Sequence, residues 1–356
     1  MRVHNFNAGP AILPESVLKQ AAAAAIEFNG VGMSIMEISH RSKDFQAVMD
    51  EATSLFHEIS GLGEEYKVLF LQGGASTQFA MIPMNLLNEN ESAAFINTGT
   101  WAKKAIKEAK LFGKVNTIAS SEESNFNFIP KEFSIPEDSK YLHVTSNNTI
   151  YGTQFFDFPK TDKPVVVDMS SDIFSRELDF SQFSLIYAGA QKNLGPSGLT
   201  IVIIKESLLG TVSRAIPTML DYRTHIKDGS MHNTPPVFSI YVCLLTLRWI
   251  KEQGGLKAIE AKNKVKADLL YHAIDNNPLF VGTVAKEDRS WMNINFIMHE
   301  RELEPEFMQF AKENKVVGLA GHRSVGGFRA SMYNALPIES VQHLVSLMDE
   351  FAKKKA

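Results

Sequence analysis

Short, uninterrupted apolar runs recur along the first two thirds of this chain. They are Val68–Leu71, Ser92–Asn97, Tyr141–Thr145, Val165–Asp168, Leu185–Ala188 and Thr200–Ile204. Runs of this length without alternation belong to strands buried on both faces. Helical patterns lie between and around them. Phe45, Val48, Met49, Ala52, Leu55, Phe56 and Ile59 mark one over Phe45–Ser60. Others cover Glu15–Phe28, the stretch from Gly73 to about Leu87, Trp101–Phe112, Pro235–Gln253 and Gly255–Asn276. Interleaving of this kind predicts an α/β fold, a mostly parallel sheet with helices on both faces.

After Asn277 the spacing changes. Met292–Met298 reads as a strand, Pro305–Lys312 as a helix, Gly326–Met332 as a glycine-containing strand and Ile338–Lys354 as a closing helix. This predicts a smaller α+β domain. A chain of 356 residues has room for two domains. The expected division is 15–257 for the large one, with 1–14 and 258–356 for the small one.

Several function classes drop out on composition. The single cysteine, Cys243, excludes a disulfide framework and any multi-cysteine metal or iron–sulfur site. With 36 basic and 40 acidic residues there is no general attraction to nucleic acid or an anionic membrane. The longest uncharged window, between Lys67 and Glu89, carries glycines, Gln72, Gln78, Pro83 and Asn85, so no membrane span is expected. One cysteine and no export signal point to the cytoplasm.

Three strand-end segments carry chemistry. Gly73-Gly74-Ala75-Ser76 follows a strand and opens a helix. Small residues there let backbone amides approach an anion, and the same residues serve equally well as a capped turn. It is neither a P-loop nor a dinucleotide fingerprint. Asp168 closes the run Val165-Val166-Val167, where a parallel sheet presents ligand-binding groups, although an acid there also serves as a helix cap. Lys192 follows Leu185–Ala188 and a Gly189-Ala190-Gln191 turn. Most lysines are solvated, but one held this way can be desolvated into a Schiff-base nucleophile. Asp168 and Lys192 are 24 residues apart, one strand–connection–strand step. Neighbouring strand ends can therefore offer a carboxylate and an amine to opposite ends of one flat group. Pyridoxal phosphate requires that pair together with an anion site.

Trp101 follows the strand Ser92–Asn97, and is either a structural indole or a stacking surface for a ring. Cations gather in His40-Arg41 and in His322-Arg323, with Arg329 following in Gly326-Gly327-Phe328-Arg329. Each alone is ordinary surface charge. Together they fit a substrate with two anionic groups.

These segments also resemble a known family from end to end. Its marks are Asn7-Ala8-Gly9-Pro10, Ser39-His40-Arg41-Ser42, Gly73–Phe79, Gly99-Thr100-Trp101, Asn147–Gly152, Asp168-Met169-Ser170-Ser171, Tyr187–Asn193, His232–Pro236 and Gly321-His322-Arg323. The chain is similar to phosphoserine aminotransferases, in the class V, fold-type I group of pyridoxal-phosphate enzymes. The resemblance implies that Lys192 carries pyridoxal 5'-phosphate as a Schiff base and later shuttles the proton at Cα. It implies that Asp168 pairs with the pyridine nitrogen, Trp101 stacks on the ring and Thr149 contacts its hydroxyl. Ala75, Ser76 and Gln191 would hold the cofactor phosphate, joined by Asn233 and Thr234 of a neighbouring subunit in a homodimer with shared sites. Arg329 would bind the substrate α-carboxylate. His40, Arg41, His322 and Arg323 would bind the distal phosphate of phosphoserine or the side-chain carboxylate of glutamate. The implied reaction is ping-pong transamination between phosphoserine and 2-oxoglutarate, in serine biosynthesis. Bacterial relatives extend it to phosphohydroxythreonine in vitamin B6 synthesis. Some relatives carry an arginine where this chain has Gly74-Ala75-Ser76.

Rival readings make different demands. A cysteine desulfurase needs a reactive thiol on a mobile loop, whereas Cys243 sits in the apolar run Tyr241–Leu245. An alanine–glyoxylate or serine–pyruvate aminotransferase has no distal anion for the His-Arg pairs. A cofactor-free binding protein has no use for a strand-end lysine and acid.

Overall fold

The structure, a computed structural model, describes residues 2–355. The chain opens with a short strand, β1 (His4–Asn5), and helix α1 (Glu15–Ile26). Helix α2 (Lys43–Ser60) buries Phe45, Val48, Met49, Ala52, Leu55 and Phe56, the face its spacing predicts. Ser42 starts it by accepting from the Phe45 amide (3.2 Å). Gly61, in the left-handed region at φ 69°, ends it. Then follow β2 (Tyr66–Leu71), α3 (Gly74–Leu86), β3 (Ser92–Asn97), α4 (Thr100–Ala109), β4 (Lys114–Ser120), β5 (Ser139–Thr145), β6 (Val165–Asp168), β7 (Leu185–Gly189) and β8 (Thr200–Lys205). Helices α5 (Tyr222–Lys227), α6 (Val237–Glu252) and α7 (Gly255–Asn276) lead out of this unit.

The seven strands β2 to β8 form one sheet in the order β2-β8-β7-β6-β5-β3-β4. All neighbours pair in parallel except β8, which is antiparallel to both β7 and β2. Connection length explains the reversal. Residues 190–199 are too few for a crossover helix, so the chain returns antiparallel. Side chains alternate across the sheet. Val144, Val167, Ile186 and Ile203 pack with α1, α2 and α6, while Tyr141, Val166, Tyr187 and Val202 pack with α3, α4 and α5. Strand β4 escapes the apolar pattern because it is an edge strand with no fully buried residue.

The remaining chain builds a second core. Strands β9 (Phe280–Gly282) and β10 (Asn293–Met298) are followed by α8 (Glu304–Glu313), β11 (Val316–Val317), β12 (Phe328–Ser331) and α9 (Ile338–Lys355). The antiparallel sheet β12-β10-β9 packs its Phe280, Phe296 and Phe328 with Leu270, Phe307 and Leu344. Strand β1 pairs in parallel with β11, and Phe6 and Ile12 enter this core, so the N-terminal arm belongs to it by packing. Helix α7 changes partners along its length. Ile259 joins the large core, whereas Ala267, Leu270 and Ile274 join the small one. No helix among the described residues is long and apolar enough to cross a membrane.

Candidate active site

Strands β2, β3, β5, β6 and β7 all end at one edge of the large sheet. The residues at and beyond those ends line one cavity of about 230 Å³. Gly74, Ala75 and Ser76 come from the β2 end, and Trp101 from the β3 end. Thr145, Asn147 and Thr149 come from β5, Asp168, Ser170 and Ser171 from β6, and Gly189, Gln191 and Lys192 from β7. Of the two readings of the glycine turn, the cavity favours the anion cradle. Gly73 has φ 91°, and a Cβ there would collide with the Thr77 side chain. The turn therefore aims the start of α3 at the cavity, and amides in a first helical turn have no partner within the helix.

Asp168 is almost fully buried, 5% exposed. Its Oδ1 accepts from the Ser170 amide (2.9 Å), and Ser170 Oγ accepts from the Gly189 amide (3.1 Å), so the β6 and β7 ends are stitched together. Burial pushes the carboxyl above its ordinary range, while Ser170 and the Lys192 charge draw it back. A cationic partner such as a pyridinium nitrogen relieves that cost. On the same sheet face, Tyr187 meets His143 Nε2 (2.8 Å), and His143 stacks on Phe95 at 4.9 Å. Burial pushes the pKa of His143 down to about 3, so this imidazole is neutral near pH 7.

Lys192 is half-buried, with its Nζ donating to Thr149 Oγ1 (2.7 Å). The same Nζ lies 5.9 Å from the centroid of the Trp101 ring. Desolvation lowers its pKa to about 8, with Asp168 opposing and Arg329 adding to the shift. The amine is therefore far easier to deprotonate than a solvated lysine, as a Schiff-base nucleophile must be. Thr149 also joins the lysine to the rim, since its carbonyl accepts from Arg329 Nη1 (3.3 Å).

Residues around the second core hold these loops. Asn147 Nδ2 donates to Asn293 Oδ1 (2.7 Å) and the Asn334 amide donates to Asn193 Oδ1 (3.0 Å). The Ala11 amide donates to the Gln191 carbonyl (2.9 Å), and Tyr333 donates to the Ala8 carbonyl (2.6 Å). Sequence reasoning missed Ser170 and Asn193 as positioning groups. Only their nearness to Asp168 and Lys192 in the chain hinted at them.

His322 and Arg323 precede β12, with His322 half-buried and Arg323 exposed. Burial holds His322 below its ordinary pKa, and the charges of Arg329, Arg323 and Lys104 lower it further. Lys104 was not singled out from the sequence. Its Nζ lies 4.6 Å from the Trp101 ring centroid. His40 and Arg41, in the turn before α2, do not line the cavity of their own chain. Nor do Asn233 and Thr234, exposed in the turn before α6, or His322, Arg323 and Arg329, of which Arg329 alone is bonded to a lining residue, Thr149.

The residues present fit pyridoxal phosphate. Besides the amine, the acid and the helix start, Thr145 Oγ1 at the cavity wall is buried without a partner, as are Trp101 Nε1 and Arg329 Nε. An open indole and unpaired donors around a flat cleft match a phosphorylated ring bearing a polar substituent.

Comparison with known proteins agrees with this geometry. The pattern of the aminotransferase class-V family matches residues 3–344. The phosphoserine aminotransferase of Flavobacterium johnsoniae is 59% identical over 99% of this chain and 100% of its own length. The chain belongs to the class-V aminotransferases. Among solved structures, the phosphoserine aminotransferase of Bacillus circulans subsp. alkalophilus superposes with a TM-score of 0.97, at 50% identity, over 100% of this chain and 99% of that one. The pyridoxal-phosphate-bound phosphoserine aminotransferase of Trichomonas vaginalis gives 0.93, at 39% identity, over 98% and 100%. The fold-type I architecture expected of a class-V aminotransferase is thus the one observed. Cys243 lies buried in α6 and does not line the cavity, and burial pushes its thiol pKa up. A desulfurase nucleophile needs the opposite environment. No group of three or more metal-ligating side chains occurs among the described residues.

Proposed function

We propose that this class-V aminotransferase transfers the amino group between O-phospho-L-serine and 2-oxoglutarate, forming 3-phosphohydroxypyruvate and L-glutamate with pyridoxal 5'-phosphate on Lys192. The observation that carries the reading is one cavity whose floor joins a depressed-pKa lysine to a buried acid. Arg329 stands just outside the lining, donating to the carbonyl of Thr149 (3.3 Å), and its charge and that of Arg323 act on His322, so these three cations form what we take as the rim. Neither arginine has a carboxylate partner among the described ion pairs. The phosphoserine aminotransferase relatives, at up to 59% identity over the full chain, support the same substrate.

The residues then divide the work. Asp168 would hold the proton on the cofactor's ring nitrogen, Trp101 would support the ring face and Thr149 would meet its hydroxyl. Amides at Ala75 and Ser76, with Gln191, hold the phosphate. Bound there, the cofactor supplies an electron sink for the pair left at Cα. Arg329 grips the α-carboxylate and orients the Cα–H bond toward Lys192. Lys192 Nζ is the base that takes and holds the proton at the substrate Cα. His322 and Arg323 hold the distal anion. Arginine accepts a phosphate or a carboxylate by the same paired contacts, so one pocket serves both amino donors.

His40, Arg41, Asn233 and Thr234, which do not line the cavity of their own chain, are assigned to the partner's site in a homodimer, as the family resemblance implies. Residues 15–257 form the cofactor domain and 1–14 with 258–356 the small domain. The test is a half-reaction. Phosphoserine alone should bleach the visible band of the holoenzyme, and 2-oxoglutarate alone should restore it. A band unmoved by phosphoserine contradicts the reading.

A further inference from the structure

We infer that Lys104 is a further specificity-determining residue, whose ammonium joins His322 and Arg323 in gripping the distal anion of the substrate. The inference rests on the reading above, in which that anion lies at the cationic rim.

Lys104 sits three residues after Trp101 on α4, so both occupy one helix face. Its ammonium lies 4.6 Å from the indole centroid, and Trp101 lines the cavity. The aromatic face gives an exposed, flexible side chain a preferred seat at the cavity mouth. The Lys104 charge acts on His322 together with those of Arg329 and Arg323, and no carboxylate figures among the charges acting on that imidazole.

The contrast with other cations of the chain is informative. Lys103, one residue earlier, reaches Glu122 at 2.5 Å. Arg223, Arg248, Arg289 and Arg301 each hold a carboxylate. Lys104 has no such partner among the described ion pairs, and neither do Arg323 and Arg329. Like charges set together without counter-ions repel, and a polyanion entering between them relieves that repulsion. Lys104 belongs to the large domain and His322 and Arg323 to the small one, so an anion held by both bridges the domains.

A phosphate monoester carries about 1.5 to 2 negative charges at neutral pH, against one for a carboxylate. An added ammonium therefore stabilises bound phosphoserine more than bound glutamate.

The experiment compares Lys104→Gln, Lys104→Arg and Arg323→Gln holoenzymes, each checked for the wild-type visible band and melting temperature. Calorimetry measures the Kd of 3-phosphoglycerate, which carries both anionic groups but no amine. Steady-state rates give kcat/KM for phosphoserine and for glutamate. For Lys104→Gln the Kd should rise about tenfold, and the phosphoserine-to-glutamate ratio should fall about five- to tenfold. Lys104→Arg should stay within about twofold of wild type, because the charge remains. The Kd of Lys104→Gln should also depend less steeply on salt. Unchanged affinity in Lys104→Gln, or an equal loss for both donors, overturns the inference. If Arg323→Gln still weakens 3-phosphoglycerate binding in that case, the rim reading survives and only Lys104 is excluded. If neither variant weakens it, the distal anion lies elsewhere and both readings fall.

Discussion

The floor and the rim of the cavity are built on opposite principles. On the floor, Asp168, Thr149 and Lys192 are carried on or directly after buried strands and held by short bonds to neighbouring backbone or side chains. Their charges face each other, and burial sets their acidity. At the rim, His322 and Arg323 lie on a glycine-rich loop between Gly321 and Gly327, with Gly326 and Gly327 at φ 75° and 65°. Lys104, Arg323 and Arg329 have no acidic partner among the described ion pairs; Lys104 lies on α4, beside the large sheet, and the arginines lie in and before β12, in the second core's sheet. A rigid floor suits a cofactor that stays, and a loosely tethered cationic rim suits substrates that exchange. Chemistry should therefore fail when the floor is altered, and selectivity when the rim is altered.

The sharpest break in that division is Lys192→Ala. It should lower turnover on the order of 10⁴-fold and abolish the lysine-dependent visible band, in steady-state assays and absorbance spectra. Asp168→Asn keeps the shape and removes the charge. It should cost about 2–4 kcal/mol in the transition state, read as a fall in kcat on the order of 10²-fold with little change in KM for phosphoserine. Arg323→Gln should act in the other direction of the split. We expect kcat/KM for phosphoserine to fall about 10- to 100-fold, mainly through KM, while the visible band is retained.

The sign of the lysine shift gives a pH test. Lys192 in the folded protein loses its proton near pH 8, below the unfolded value of 10.5. Only the neutral amine attacks an aldehyde. Cofactor capture by the apoprotein should accelerate about tenfold per pH unit below 8 and level off above it. The same shift makes the unfolded chain bind more protons between pH 8 and 10.5, so this group makes the apoprotein more stable as pH rises through that window. The smallest expected effect is Cys243→Ala. It should leave turnover unchanged and lower stability by about 1 kcal/mol in denaturant melts, because the thiol is only packing in α6.

The same contrast explains what could be read from the chain alone. Asp168 and Lys192 were legible because each ends or follows an apolar run, and strand ends in a parallel sheet converge on one edge. Gly73 was legible because a strand-to-helix turn needs its backbone freedom. The reversed strand β8 was not, since an apolar run carries no direction; only the short connection after Gly189 encodes it. Edge strand β4 lacked the apolar signal because it has little to bury. Ser170 and Asn193 act through contacts with Gly189 and Asn334, which local patterns do not report. Lys104 looks like any lysine on an amphipathic helix until the fold brings its charge to act on His322, more than two hundred residues later. The rim is thus the part where sequence gave cations but not their assembly.

The central claim is that the rim selects a donor with a distal anion. Its most direct measurement is a coupled assay of kcat/KM for phosphoserine, serine and alanine as amino donors to 2-oxoglutarate. The account predicts phosphoserine ahead of both by at least about 10²-fold, since one lost charge-assisted contact alone costs about 2–4 kcal/mol. Comparable values for the three donors would contradict it.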